Sequence, residues 1–197
     1  MKEKNFIVKG NICFSESPEK IRTEEQGFAV CLNGVSQGVF SQIPEEFRNL
    51  PVLDFGSNLI LPGLTDLHIH APQYGFRSLG MDLELLEWLN TRTFPEEERY
   101  ENEEYARKGY SIFAEDLKMG ATTRVCAFGT IHRKSTEILM DCMEESGLIS
   151  KVGKVNMDRN GSPGLTEESP EKSLEETLLW LEETKDRYEN VSPILTP

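Results

Sequence analysis

Residues 61–74 read Leu61-Pro-Gly-Leu-Thr-Asp-Leu-His-Ile-His-Ala-Pro-Gln-Tyr74. From Leu64 to His70 the residues alternate with period two, as a strand with two distinct faces requires. That alternation turns His68 and His70 to one face and Leu67 and Ile69 to the other. Two imidazoles side by side on a rigid strand supply two nitrogen ligands for a divalent transition metal, and the C-terminal end of a strand is where barrel enzymes build their sites. The chain has only 3 histidines, and two of them stand in this pattern just after Pro62-Gly63. A histidine pair on a polar strand face also arises by chance. Catalytic zinc sites use three protein ligands plus water, so at least one further ligand has to come from elsewhere.

The character of the chain changes at Leu61-Pro62-Gly63. Before it, the residues read as all-β. Asn5 to Phe14 is strand-like, and Phe28–Leu32 and Val35–Phe40 flank an Asn33-Gly34 pair suited to a tight hairpin. The Ser-Glu-Ser-Pro-Glu-Lys stretch around Pro18 reads as a loop. Pro44 to Arg48 predicts one helical turn. After the junction, strands and helices alternate. Leu64–His70 is followed by a helix over Asp82–Thr91, with Asp82 as its cap and Leu85, Leu86 and Leu89 inward. Glu101–Met119 predicts a second helix, with Ala106, Tyr110, Phe113 and Leu117 on one stripe and Gly120 as its stop. Then come a strand at Ala121–Phe128, a helix at Lys134–Glu145 stopped by Gly147, and a strand at Lys151–Met157. A helix from Ser169-Pro170 to Tyr188, with Leu174, Leu178 and Leu181 inward, precedes a last strand at Val191–Thr196.

Three strand–helix units and a fourth strand predict parallel α/β architecture. A closed barrel of eight units needs about 250 residues, and 135 of the 197 residues follow Pro62. The chain is therefore expected to be the first part of a longer protein or one half of an assembly.

Composition excludes several classes. With 21 Lys+Arg against 34 Asp+Glu the formal net charge is −13, which disfavours a phosphate backbone or an anionic membrane surface as partner. No run approaches the ~18 apolar residues of a spanning helix, and the N-terminus lacks a signal-peptide core. The cysteines, Cys13, Cys31, Cys126 and Cys142, form no CxxC pair and read as reduced thiols of a cytoplasmic protein.

The stretch from Leu61 to Tyr74 resembles the opening strand of the amidohydrolase superfamily: Pro-Gly, two residues, then Asp-x-His-x-His. From His70 onward the chain is similar to one family of that superfamily, the guanine deaminases. The matching segments are His70-Ala-Pro-Gln-Tyr74, Asp82 to Asn90, Thr93-Phe-Pro95, Gly129-Thr-Ile-His132 and Gly153 to Asp158. This resemblance implies a partial (β/α)8 TIM-type barrel preceded by a small β-sandwich domain. The boundaries expected are 1–61 for the β-sandwich portion and 62–197 for the first strand–helix units of the barrel.

The resemblance further implies zinc-dependent hydrolysis of guanine to xanthine and ammonia, with one Zn2+ per subunit, in a cytoplasmic homodimer of purine metabolism. His68 and His70 would be the first two zinc ligands. Gln73 would hydrogen-bond the guanine edge, with the backbone near Ala71 and Pro72 against the base; Trp88 is a candidate wall, while its place on a helix with Leu85 and Leu89 reads rather as core. The other ligands, the proton-shuttling glutamate and an Arg-Phe pair belong to later strands, so the 197-residue chain alone is expected to be inactive. The alternatives are an amidohydrolase acting on another aminated or chlorinated heterocycle, and a non-catalytic fragment that needs a partner chain.

Other residues carry weaker signals. His132 lies just beyond a strand end, where it reads as a loop or supporting histidine. Tyr74 and Phe76 either stack on a base or anchor their loop. Asn156 and Asp158 end the third barrel strand and are minor candidates for substrate contact. Arg124 is expected to pair with a carboxylate. The acidic runs Glu96–Glu98, Glu101–Glu104 and Glu167–Glu176 read as solvated helix faces.

Overall fold

The computed structural model describes residues 4–196. The chain divides into two compact units, Met1–Pro62 and Gly63–Pro197.

The first unit is a four-stranded sheet in the order β3-β2-β1-β4. Strands β1 (Phe6–Ser17), β2 (Lys20–Leu32) and β3 (Val35–Phe40) form an antiparallel meander, and β4 (Val52–Ile60) runs parallel to β1. Asn33 and Gly34 both have positive φ, 52° and 80°, the pair of left-handed residues that a two-residue hairpin demands. The stretch before Pro18 is strand rather than loop, because the chain reverses within Pro18-Glu19 and pairs Ser17 with Lys20. The turn expected at Pro44 is a 3-10 turn over Glu45–Phe47. Strand β4 has no alternating signature. Its Asp54, Gly56, Ser57 and Asn58 break the pattern, and Asp54 instead accepts from the Gly56 N–H (2.8 Å) and pairs with Lys9 (2.8 Å). Ile7, Ile12 and Val30 are the buried apolar residues of this sheet.

The second unit opens with β5 (Leu64–His70), which leads into a 3-10 turn over Ala71–Phe76. The helix expected over Asp82–Thr91 is displaced. Gly80 takes φ +72° and the chain turns there, so α1 starts only at Leu85 (Leu85–Trp88), with Glu84 in the capping position. It widens into a π turn at Leu89–Thr93 and resumes as α2 (Phe94–Glu98). The cause is Pro95, which has no N–H to donate and whose ring crowds the carbonyl four residues back; a wider turn relieves that crowding. Leu85 and Leu86 are 67% and 72% exposed, not inward as expected.

Helix α3 (Glu103–Met119) buries Ala106, Tyr110 and Phe113 on the expected stripe. Asn102 caps it, its side chain accepting from the Tyr105 N–H at 3.0 Å, as N-cap residues do. Gly120 stays at negative φ and closes the helix through its own N–H. Strand β6 (Thr122–Phe128), helix α4 (Arg133–Ser146), β7 (Ile149–Gly153), α5 (Pro170–Thr184) and β8 (Val191–Pro193) complete the unit. Gly147, at φ +77°, ends α4 in the left-handed conformation that suits glycine. The four strands are parallel, in the order β5-β6-β7-β8, with α3, α4 and α5 as crossovers, as repeated βα units require.

Helix α5 buries a different stripe from the one expected. Leu174 and Leu178 are mostly exposed, while Ser173, Thr177, Trp180 and Thr184 are buried. The hydroxyls of Ser173 and Thr177 both donate to Asn156 Oδ1, at 2.9 and 2.7 Å, which rotates the helix to its polar side. Trp180 then fills the core with Tyr110, Phe113, Leu139, Met143 and Val152.

Two strand ends are closely packed. A Cβ at Gly129 would lie 2.8 Å from Thr136 Oγ1, and one at Gly153 would lie 2.2 Å from Thr196 Cγ2. All four cysteines are free thiols. No helix among the described residues is long and apolar enough to cross a membrane.

Candidate metal centre

The C-terminal end of β5 holds the two histidines. The Asp66 side chain accepts from the His68 N–H at 3.0 Å and trims the strand just before them. His68 and His70 project from the same face, with their Nε2 atoms 3.2 Å apart. Two nitrogens bound to one tetrahedral zinc at ~2.0–2.1 Å stand about 3.3 Å from each other, so this spacing suits a shared ion. The Phe128 ring, one strand over on β6, lies 4.6 Å from each imidazole, and it is stacked at 18° on His70. Burial, reinforced by the charge of His68, lowers the pKa of His70. The neutral imidazole favoured in this way is the ligating form.

Among the described residues no cluster of three His, Cys, Asp or Glu forms around a metal position. His132 does not join the pair. It sits at the N-cap of α4, where its N–H donates to Thr130 Oγ1 at 3.0 Å. Its Nε2 is buried without a partner, and burial lowers its pKa.

A cleft of about 360 Å³ opens beside the histidines, and His68, His70, Gln73, Phe76, Met81 and Trp88 are among its lining residues. The 3-10 turn after β5 carries Ala71 and Pro72, both buried, and delivers Gln73 to the rim. Trp88 is half-buried, 5.8 Å from the Phe76 ring, with its indole N–H donating to the Leu79 carbonyl at 3.3 Å. Tyr74 acts as an anchor. Its hydroxyl donates to Asp116 at 2.7 Å, its edge meets Phe113, and the Arg77 guanidinium covers its face.

Three weaker candidates lie away from the histidine pair or make other contacts. Asn156 accepts from Ser173, Thr177 and Lys154 and donates to the Thr196 carbonyl. Asp158 meets Arg159 at 3.2 Å. Arg124 is exposed on β6 and takes no part in the ion pairs formed among the described residues.

The acidic runs are not solvated throughout. Glu101, Glu103 and Glu104 are exposed, but Glu97 is only 5% exposed and accepts from Gln73 Nε2 at 2.9 Å. Burial pushes its carboxyl up to about 7, against a smaller opposing effect of the Gln73 hydrogen bond. Glu167 is also enclosed, paired at 2.6 Å with Lys154, whose side chain is 0% exposed. Sequence reading missed Glu97, although a signal was there: Thr93, Glu97 and Tyr100 fall at helical spacing, and all three are buried.

A family model described as the amidohydrolase family matches residues 59–195. The chain belongs to the amidohydrolase family. Among its relatives, this amidohydrolase is 42% identical over 156 residues to the guanine deaminase of Mus musculus, covering 78% of this chain and 33% of the mouse protein. It is 42% identical over 119 residues to the guanine deaminase of Escherichia coli K12, covering 60% and 26% respectively. The solved structure of guanine deaminase from C. acetobutylicum, with guanine bound in its active site, superposes with a TM-score of 0.92 at 41% identity. That match covers 98% of this chain and 46% of that one. The amidohydrolase chain thus spans about a third of the length of the curated relatives it matches.

Proposed function

We propose that this amidohydrolase carries the first two metal ligands and part of the base-binding cleft of a zinc-dependent guanine deaminase. The proposed reaction is hydrolysis of guanine to xanthine and ammonia. The observation that carries this reading is the convergence of the His68 and His70 Nε2 atoms, 3.2 Å apart, with Gln73 at the wall of one cleft. The similarity to guanine deaminases over most of the chain supports it.

In this reading His68 and His70 hold the ion. When bound, zinc acidifies water toward neutral pH and so supplies a hydrolytic nucleophile without a strong base. The chain's own residues do the rest of what these 197 positions contribute. Phe128 holds the imidazoles in place, Gln73 offers a donor and an acceptor to an amide-like purine edge, and Phe76 and Trp88 give the base apolar walls. Ala71 and Pro72 fix the backbone that turns Gln73 toward the cleft. The histidine pair leaves the ligand set incomplete, so the chain by itself is proposed to be inactive. The same reading carries a cytoplasmic homodimer.

The test is to purify the complete gene product, measure its zinc per subunit and assay guanine, adenine and chlorinated or aminated heterocycles side by side. Guanine turnover that tracks zinc content is the expected result. Adenine turnover without guanine turnover overturns it.

A further inference from the structure

Three consecutive glutamates come after Pro95, and each meets a different partner. Glu96 accepts from the Tyr105 hydroxyl at 2.5 Å and pairs with Arg99 at 2.9 Å. Glu98 accepts from the Ser162 hydroxyl. Glu97 turns to Gln73 instead, and among the described residues no lysine or arginine pairs with it. A buried carboxyl held by one neutral amide is an unfavourable arrangement, because the amide compensates little of the lost hydration. An apolar side chain of similar size would fill the same space without that cost.

What a carboxylate does there, and a leucine cannot, is to orient the amide. An ionised carboxylate only accepts hydrogen bonds, so a glutamine facing it must present its NH2 group. Gln73 does so, with Nε2 2.9 Å from Glu97 Oε1. Its carbonyl oxygen is then the free end, bonded to no donor among the described residues, on a residue that lines the cleft beside both histidines. We propose that Glu97 is a positioning residue that locks the Gln73 amide with its carbonyl oxygen available to the cleft, so that the cleft selects a heterocycle edge bearing an N–H donor. This rests on the deaminase reading above, in which that edge belongs to the purine.

The lock depends on the charge of Glu97. A protonated carboxyl both donates and accepts, and then either orientation of the amide is satisfied. With the carboxyl titrating at about 7, the lock tightens as pH rises through neutrality. The titratable groups facing Glu97 are the hydroxyls of Tyr100, on the 3-10 turn after α2, and Tyr110 on α3. Burial raises both above the usual phenol range, so neither changes charge between about pH 6 and 8. Gln73, from the turn after β5, is neutral.

The experiment uses the zinc-loaded complete gene product. The kcat and KM for guanine are measured across pH for wild type, Glu97→Gln and Glu97→Asp. Wild-type KM should rise as pH falls below about 7. Glu97→Gln should keep its zinc and kcat, raise KM about tenfold, as loss of one oriented hydrogen bond implies, and lose that pH limb. Glu97→Asp, still acceptor-only when ionised, should keep a limb and recover part of the KM. A purely structural glutamate would shift the melting temperature and leave the limb in place. Wild-type KM and pH profile in Glu97→Gln overturn the lock while leaving the deaminase standing. If Glu97→Gln fails to fold, the wild-type and Glu97→Asp profiles decide, and a flat KM in both overturns it. A zinc-loaded wild type with no guanine turnover at any pH overturns the deaminase reading, and the lock with it.

Discussion

The imidazole of His70 lies nearly flat on the ring of Phe128, 4.6 Å between centroids and 18° from parallel. The two residues are also register partners on adjacent strands, β5 and β6. His68 leans on the same ring, also at 4.6 Å. The orientation of both nitrogen donors is therefore set by a side chain of the neighbouring strand.

Phe128→Ala should consequently leave both ligands present but loosely aimed. Zinc affinity, measured by competition with a chromophoric chelator, is expected to fall by about tenfold, the lower range for losing a supporting group around a ligand. Phe128→Leu should lose less. Unchanged affinity in the alanine variant would show that the rings are held elsewhere.

His68→Ala and His70→Ala in the complete gene product should each remove zinc and guanine turnover together, since each deletes one of the few bonds to the ion. Gln73→Ala should do the opposite, keeping zinc and impairing turnover. Metal analysis alongside the assay separates the two patterns. Retained zinc with near-normal turnover in His68→Ala would strike His68 from the ligand set.

Lys154 has no exposed side-chain surface and meets Glu167 at 2.6 Å, the Val155 carbonyl at 3.0 Å and Asn156 at 3.3 Å. Lys154→Ala strands the Glu167 carboxylate in the interior. The expected loss is about 3–5 kcal/mol, read from urea unfolding. The double change Lys154→Met with Glu167→Gln should lose much less, because no charge is left unpaired. A loss under about 1 kcal/mol for the single alanine variant would contradict the enclosed pair.

Glu97 gives stability a pH dependence of known sign. Its carboxyl is raised from 4.5 to about 7 in the folded chain. Between those values the native state keeps a proton that the unfolded state has released, so stability falls as pH rises through the window. The total is about 3 kcal/mol. Glu97→Gln should flatten that slope in urea midpoints taken from acid to neutral pH. An unaltered slope would show that Glu97 is ionised throughout.

Much of this was legible in the residues. The stripe Ala106, Tyr110 and Phe113 reports its face directly, because that side of α3 is apolar and buried. The alternation in Leu64–His70 places both histidines on one face, but the apolar face opposite is not fully covered, with Leu67 76% exposed. Where the buried side is polar, the pattern misleads. Leu174 and Leu178 of α5 point outward because Ser173 and Thr177 are drawn to Asn156, a contact made only after folding, while Leu181 packs against the core as expected. Glu97 hid among acidic neighbours for the same reason, its partner lying 24 positions away at Gln73. The displaced helix at Leu85 results from local chemistry, the turn at Gly80 and the demands of Pro95, which hydrophobic spacing alone does not weigh.

The close packing at Gly129 and Gly153 has an evolutionary consequence. A side chain at either position would strike Thr136 or Thr196, so descent can scarcely alter these strand tips without losing the scaffold. Single exposed positions in the loop beyond β5 are under no such constraint: Met81 is 81% exposed at the mouth of the cleft, next to Gly80, which is held at φ +72°. A substitution at Met81 can thus reshape the mouth of the cleft while the frame beneath the histidines stays unchanged.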